Sequence, residues 1–416
     1  MKGSEEGGAL EAILDKNGLK RWRWGRPWVF RDQVERFSGG PGDLVEVKDP
    51  SGRLLGTAFL SPSSRILLRR FTRGPLERPL EEELSARIDA ALARRRGLEE
   101  RGECMRLVYS EADGLPGLVV DRYGPVLVVQ TLTAGMDRLA GPAADHLWER
   151  LSPRMILARN DPAARNMEGL PREVRVLRGE RVERLRVPFG RVRVTVEPFS
   201  GQKTGLYLDQ APARRLVGSL AAGKRVLDLF CYQGGFTLEA LAGGASSVLS
   251  VDASARALRI LEEDARENGL PRPETLEANV FRLLPGLVRE GERFDLIVLD
   301  PPAFAKNKAQ VPGAERGYRE LNRRCLQLLS PGGVLVTCSC SYNMDRGRFL
   351  EILRRAASDA GKAGLQVETV PPGRDHPVLL SLPESDYLKV YVLSDVEGTE
   401  MGEEPERREK KGVPGP

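Results

Sequence analysis

From about residue 200 onward, short apolar runs alternate with longer amphipathic stretches. The runs fall at 225–230, 247–251, 275–277, 294–299, 333–338 and 387–393. Between them, segments such as 255–268 and 317–329 repeat their apolar residues at helical spacing. Strands buried on both faces lose polar alternation, so apolar runs separated by helices predict a doubly wound parallel sheet, an α/β domain of the Rossmann-like kind. The first third has another rhythm. Runs at 43–47, 54–59 and 66–71 are cut by the turn clusters Asp49-Pro50-Ser51-Gly52 and Ser61-Pro62-Ser63-Ser64, the pattern of a small β-barrel. An Arg- and Glu-rich amphipathic helix over 81–97 ends at Gly97. Strands at 106–109, 118–121 and 126–130 follow, with Asp121-Arg122-Tyr123-Gly124 as a hairpin turn, and then a helix over 134–151. The expected organisation is a β-barrel at 9–75, an α+β domain at 80–195, an α/β domain at 196–394, and a charged Gly- and Pro-rich tail at 395–416 expected to be disordered.

Composition narrows the class. The 416 residues are 41% hydrophobic and 30% charged, as in soluble globular chains. No apolar run approaches the roughly 18–20 residues of a membrane span, and residues 1–8 are polar and acidic, so a cytoplasmic protein is expected. Five cysteines at no framework spacing point to a reducing compartment, and two histidines, His146 and His376, make a His-rich metal site improbable. The net charge of +5 is a weak pointer to a polyanion. Arginine-rich clusters at 20–24, 69–70, 94–96 and 214–215 suit phosphate contacts, although a chain that uses Arg everywhere would show them too.

The segment Val226-Leu227-Asp228-Leu229-Phe230-Cys231-Tyr232-Gln233-Gly234-Gly235 reads as a strand, a tight turn and a helix start. The first βα turn of such a sheet binds nucleotides through backbone amides. This one lacks the glycine pattern of a dinucleotide site, and Asp228 would repel a pyrophosphate while suiting a cation. The next strand ends at Asp252, where a carboxylate accepts ribose hydroxyls. S-adenosylmethionine, a sulfonium without phosphates, fits best. Its expected contacts here are Asp228, Phe230, Tyr232, Gly234, Gly235 and Asp252, with Asn279 after the third strand near the adenine.

Two strand ends carry the reaction. One is Leu299-Asp300-Pro301-Pro302-Ala303-Phe304, the other Cys338-Ser339-Cys340-Ser341. Carbon 5 of a pyrimidine is not nucleophilic until a thiolate adds at carbon 6. The addition needs an acid at ring N3 to take developing charge. Cys340 is the expected nucleophile, favoured over Cys338, and Asp300 its partner; prolines fix the Asp300 loop. A strand cysteine is otherwise most often a small buried hydrophobe.

Together these motifs resemble the bacterial family of large-subunit (23S) ribosomal RNA methyltransferases that make 5-methylcytosine. The likeness runs from about residue 9 to 394. It is carried by Arg26-Pro27-Trp28-Val29-Phe30, Ser110-Glu111-Ala112-Asp113-Gly114-Leu115-Pro116-Gly117, and Gly201-Gln202-Lys203-Thr204-Gly205-Leu206-Tyr207-Leu208-Asp209-Gln210. Asp300-Pro301-Pro302, Ser339-Cys340-Ser341 and His376-Pro377-Val378 continue it. The resemblance implies a PUA domain, a central EEHEE domain and a Rossmann-like methyltransferase domain in that order. It also implies Tyr207 and Gln210 as cofactor contacts, Cys340 rather than Cys338 as nucleophile, a ribosomal RNA substrate and a homodimer. Arg21, Arg23, Arg26 and Lys306 are the expected RNA contacts, with Trp22, Trp24 and Trp28 among them as stacking candidates. A target base would be flipped into the pocket.

Departures matter. The other large group of RNA 5-methylcytosine enzymes has a second cysteine after the motif proline, where this chain has Pro302 and Ala303. Ala211 stands where relatives would carry Arg, with Arg214 as the candidate substitute, and Asn279 replaces an expected acid. Methylation of another RNA base such as guanine, or a silent RNA-binding assembly factor, stays open as an alternative.

Overall fold

The computed structural model describes residues 10–98, 104–305, 307–362 and 364–394. Lys306 and the tail 395–416 lie outside them. The chain forms two compact units, one running to Arg215 and joined by Pro372–Tyr387, the other Leu216–Pro371 continued from Leu388.

The second unit holds a seven-stranded sheet. Its order is Glu274–Glu277, Ser247–Asp252, Arg225–Leu229, Phe294–Leu299, Leu329–Ser339, Lys389–Ser394 and Gln366–Thr369. The first five are parallel, with buried apolar residues along the inner ones, as the sequence pattern requires. The strand expected at 387–393 corrects that reading: it runs antiparallel to Leu329–Ser339, so the sheet is mixed. Its partner on the edge, Gln366–Thr369, is exposed at all four positions and so carries no apolar signal. Helices Val280–Arg289, Val311–Leu328 and Arg346–Asp359 contribute Leu284, Tyr318, Leu321, Phe349 and Leu353 to a core with Leu227, Ile297 and Leu335. This is a Rossmann-like α/β domain.

The first unit contains two larger sheets. A six-stranded one has the order Trp28–Phe30, Ile66–Arg70, Leu54–Leu60, Leu44–Lys48, Glu11–Leu14 and Val34–Phe37. Val45 and Val47 face its core while their neighbours are half-buried, which is the alternation seen in the sequence. A five-stranded sheet spans Cys104–Tyr109, Leu118–Tyr123, Val126–Thr131, Met155–Asn160 and Glu173–Gly179. Helix Leu80–Arg95 packs on it. The helix expected over 134–151 is two, Ala134–Arg138 and Ala140–Leu151. Pro142 has no N–H to donate to Arg138, so the ladder breaks there.

Ion pairs knit the two sheets of this unit. Arg69 reaches Glu111 at 3.1 Å and Glu168 at 2.9 Å, and the Trp28 indole donates to Glu111 at 2.8 Å. Gly135 is needed where they meet, because a Cβ there would lie 2.4 Å from the Phe59 ring. The returning segment 372–387 is held by buried Arg95, which donates to Asp113 at 2.7 Å and to the Asp375 carbonyl at 3.0 Å.

Candidate active site

Asp228, Asp252 and Asp300 stand at the carboxyl ends of parallel strands, where open α/β sheets place their ligands. Asp228 is fully buried; one carboxylate oxygen accepts from the Thr237 amide at 3.0 Å and hydroxyl at 2.7 Å, and the other has no hydrogen-bond partner. Burial pushes its carboxyl up to about 7, and Asp300 and Asp252 push the same way. Asp252 accepts from the Tyr232 and Ser254 amides, both at 2.9 Å.

The turn after the first strand is wound unusually tightly. Phe230 (φ 63°) and Tyr232 (φ 51°) lie in the left-handed region that disfavours side chains, and Gly234 shares it at φ 71°. Gly234 is also the N-cap of helix Gly235–Ala242, and a Cβ on it would sit 2.2 Å from Leu261 Cδ1. This curl brings the three aspartates and the helix start to one place. Gln233 in the same turn is buried, and its amide oxygen has no hydrogen-bond partner. Asn279 caps helix Val280–Arg289 by accepting from the Arg282 amide.

The strand ends that carry Asp300 and Cys340 are tied by hydroxyls. Leu299 pairs with Thr337, so Asp300 and the Ser339-Cys340-Ser341 turn leave adjacent parallel strands. The Ser341 hydroxyl accepts from the Phe304 amide at 3.1 Å, and the Asn343 amide donates to the Ala305 carbonyl at 3.2 Å. The buried Tyr318 hydroxyl lies 2.9 Å from Ser341 Oγ and accepts from Ser339 Oγ at 3.1 Å, gripping the turn on both sides of Cys340. Burial raises the Tyr318 pKa, and Cys340 and Asp300 add to the rise, so all three groups share one electrostatic neighbourhood. Cys338 is fully buried in the strand, whereas Cys340 is partly exposed just beyond it.

A family model for S-adenosylmethionine-dependent methyltransferases matches residues 167–368, and one for PUA-like domains matches 12–73. A ribosomal RNA large subunit methyltransferase I from Photobacterium profundum is 39% identical over 387 residues, covering 91% of this chain and 98% of its own. The same enzyme from Aeromonas hydrophila is 40% identical over 387 residues, covering 91% and 96%. The chain belongs to the ribosomal RNA large subunit methyltransferase I family. Two solved structures share its fold. One, a candidate SAM-dependent methyltransferase from Streptococcus mutans, has a TM-score of 0.79 at 20% identity and covers 92% of this chain and 100% of its own. The other, a candidate methyltransferase complexed with SAH, has a TM-score of 0.80 at 21% identity with the same coverage.

The cofactor of this methyltransferase family is S-adenosylmethionine. The residues present fit it. A carboxylate oxygen on Asp228 and an amide oxygen on Gln233 are buried without partners, and both are acceptors beside a surplus of negative charge. A cation with an ammonium donor satisfies both needs, and a phosphate satisfies neither.

The other expected contacts of this family member lie in the first unit. The Tyr207 hydroxyl bonds to Gln202, and Lys203 lies 4.3 Å above the Tyr207 ring. Gln210 is buried, next to Asp209. Asp209, although buried, is held well below the usual carboxylate range by Lys203 and His376, with a hydrogen bond from Tyr387. Arg214 stacks 3.7 Å from Phe189 and donates to the Tyr207 carbonyl at 2.7 Å, so it supports this segment.

Among the expected RNA contacts, Arg23 is exposed, Arg21 stacks on Phe30 at 4.9 Å, and Arg26 is paired with Glu384 at 2.8 Å. Trp22 belongs to the core of its sheet, Trp28 is bonded to Glu111, and Trp24 is 66% exposed with the Lys20 ammonium 4.7 Å over its ring, so Trp24 is the one of the three that faces solvent. Gln233, Tyr318 and Lys389 are not among the residues expected from sequence. Gln233 lies inside the turn motif, and Lys389 is a lysine within an otherwise apolar strand, which is its sequence signal. Tyr318 sits on a helix remote in sequence and gives no signal.

Proposed function

We propose that this chain methylates carbon 5 of a cytosine in 23S ribosomal RNA through a covalent Cys340–cytosine adduct. The observation that carries the proposal is the Ser339-Cys340-Ser341 turn, hooked by Tyr318 and Ser341 onto the Asp300 loop, with Cys340 the one of its two strand-end cysteines that reaches solvent. In this reading the Cys340 thiolate forms a bond to ring carbon 6, and the displaced π pair makes carbon 5 nucleophilic while Asp300 supports N3. S-adenosylmethionine, when bound, supplies an electrophilic methyl on its sulfonium. Carbon 5 would take that methyl as its bond to the sulfonium breaks and a neutral thioether is left, then lose its proton to a base, so that the carbon 5–carbon 6 double bond re-forms and the thiolate leaves. Asp228, Asp252, Gly234 and the Phe230–Gln233 turn hold the cofactor, joined by Tyr207 and Gln210; Asn279 shapes the adenine side. Arg21, Arg23 and Trp24 serve the RNA. The modules are those of residues 9–75, 80–195 and 196–394, acting in the cytoplasm, and a homodimer is testable by light scattering.

The names of the relatives support a large-subunit ribosomal RNA substrate. The test is RNA carrying 5-fluorocytosine, which keeps its carbon 5 substituent and cannot release the thiol. We expect a denaturation-resistant protein–RNA adduct with wild type, none with Cys340→Ser, and 5-methylcytosine in ribosomal RNA by mass spectrometry. Full methyl transfer by Cys340→Ser would sink the covalent mechanism. Methylated guanine would favour the guanine alternative, and no cofactor binding by calorimetry would favour a silent assembly factor.

A further inference from the structure

Lys389 is a buried titratable group that the reaction above leaves unused. It is 1% exposed, on the strand that pairs antiparallel with the cysteine strand, directly opposite Ser339. Its ammonium reaches past the strand end and donates to the Ser341 carbonyl at 2.7 Å. The turn it clamps is the one that carries Cys340. A buried ammonium is costly unless an anion shares its surroundings, and a nucleophilic cysteine is reactive as the thiolate.

We propose that Lys389 is a positioning residue that fixes the Cys340 turn and lends the positive charge that keeps the Cys340 sulfur ionised. The groups facing this turn from each packed element are consistent with that role. From the neighbouring parallel strand comes Asp300, an anion that opposes a thiolate. From helix Val311–Leu328 comes Tyr318, neutral and with its pKa raised. From helix Arg346–Asp359 comes Arg346, which donates to the Leu388 carbonyl at 3.3 Å, one residue from Lys389, while Asp345 is engaged in capping that helix. Lys389 is thus a cation in direct contact with the turn, and it offsets Asp300. Without it, Asp300 would push the thiol toward its protonated, inert form.

The inference rests on the proposed nucleophile for its catalytic meaning, but its test does not need catalysis. The rate of Cys340 alkylation by iodoacetamide is followed against pH by peptide mass spectrometry in the full-length chain. Wild-type Cys340 should titrate below the roughly 8.5 of an ordinary cysteine. Lys389→Met should move that midpoint up by about one unit or more, and Lys389→Arg should largely restore it. A wild-type midpoint at or above the ordinary value overturns the proposal without any variant, which covers the case in which Lys389→Met fails to fold. A folded Lys389→Met whose profile overlays wild type overturns it as well. A depressed midpoint together with an active Cys340→Ser would leave the role of Lys389 standing and remove the covalent mechanism.

Discussion

Asp228 shows how much a single side chain here depends on its surroundings. Burial, Asp300 and Asp252 push its carboxyl from 3.8 up to about 7 against the pull of Thr237. Between those values the folded chain holds a proton that the unfolded chain has released. Stability therefore falls as pH rises through that window and levels off above it. Asp228→Asn has no such proton, so its thermal melts should lack this component between pH 4 and 8. Identical pH slopes for the two proteins would mean that another group titrates. Cofactor binding should respond in the opposite sense: affinity for the cationic sulfonium rises with pH through about 7, and that for neutral-sulfur S-adenosylhomocysteine rises less. Isothermal titration at several pH values separates the two ligands. Asp228 as a cation-friendly acid was legible in the sequence; its proximity to Asp300 was not, because the residues are brought together only by strand order.

The element that shapes the proposed cofactor site is the turn between strand Arg225–Leu229 and helix Gly235–Ala242. Its conformation needs three left-handed residues, and only Gly234 is a glycine. Gly234→Ala would place a Cβ 2.2 Å from Leu261 Cδ1 in an unfavourable backbone region. We expect a loss of about 2 kcal/mol or more in urea unfolding and at least about tenfold weaker cofactor binding. Gly223→Ala, with open space around its Cβ, controls for the backbone term alone, since it shares φ 71°. The glycines announced a tight turn in the sequence. The strained Phe230 and Tyr232 did not, since nothing in a residue's identity reveals that neighbours force it into a costly conformation.

Across the whole molecule the chain crosses between units three times, at 215, 371 and 387. Residues 372–387 complete the first unit through Arg95 and Asp375, and strand Lys389–Ser394 completes the sheet of the second. Truncation after Pro371 should therefore destabilise both units, seen as earlier unfolding of each by hydrogen exchange. In the first unit it removes the Asp375 carbonyl, one of the acceptors of buried Arg95, and in the second an inner strand. Unchanged protection of strands Cys104–Tyr109 and Leu118–Tyr123 would show that the returning segment is dispensable to the first unit.

By itself, the sequence determined the kinds of element and which candidate side chains lie at their ends. Apolar periodicity separates strand from helix, and Asp300, Cys340, Asp228 and Asp252 sit at strand ends because apolar runs stop there. Tertiary structure alone decided the antiparallel direction of the last inner strand, since an apolar run reads the same in either direction. It also decided that Trp22 is core while Trp24 faces solvent, through one helix's orientation on its sheet. Above all it brought Tyr318 and Lys389 to Cys340 across separations of 22 and 49 residues. Such contacts follow from the order of strands and the packing of helices, which no local pattern of residues encodes.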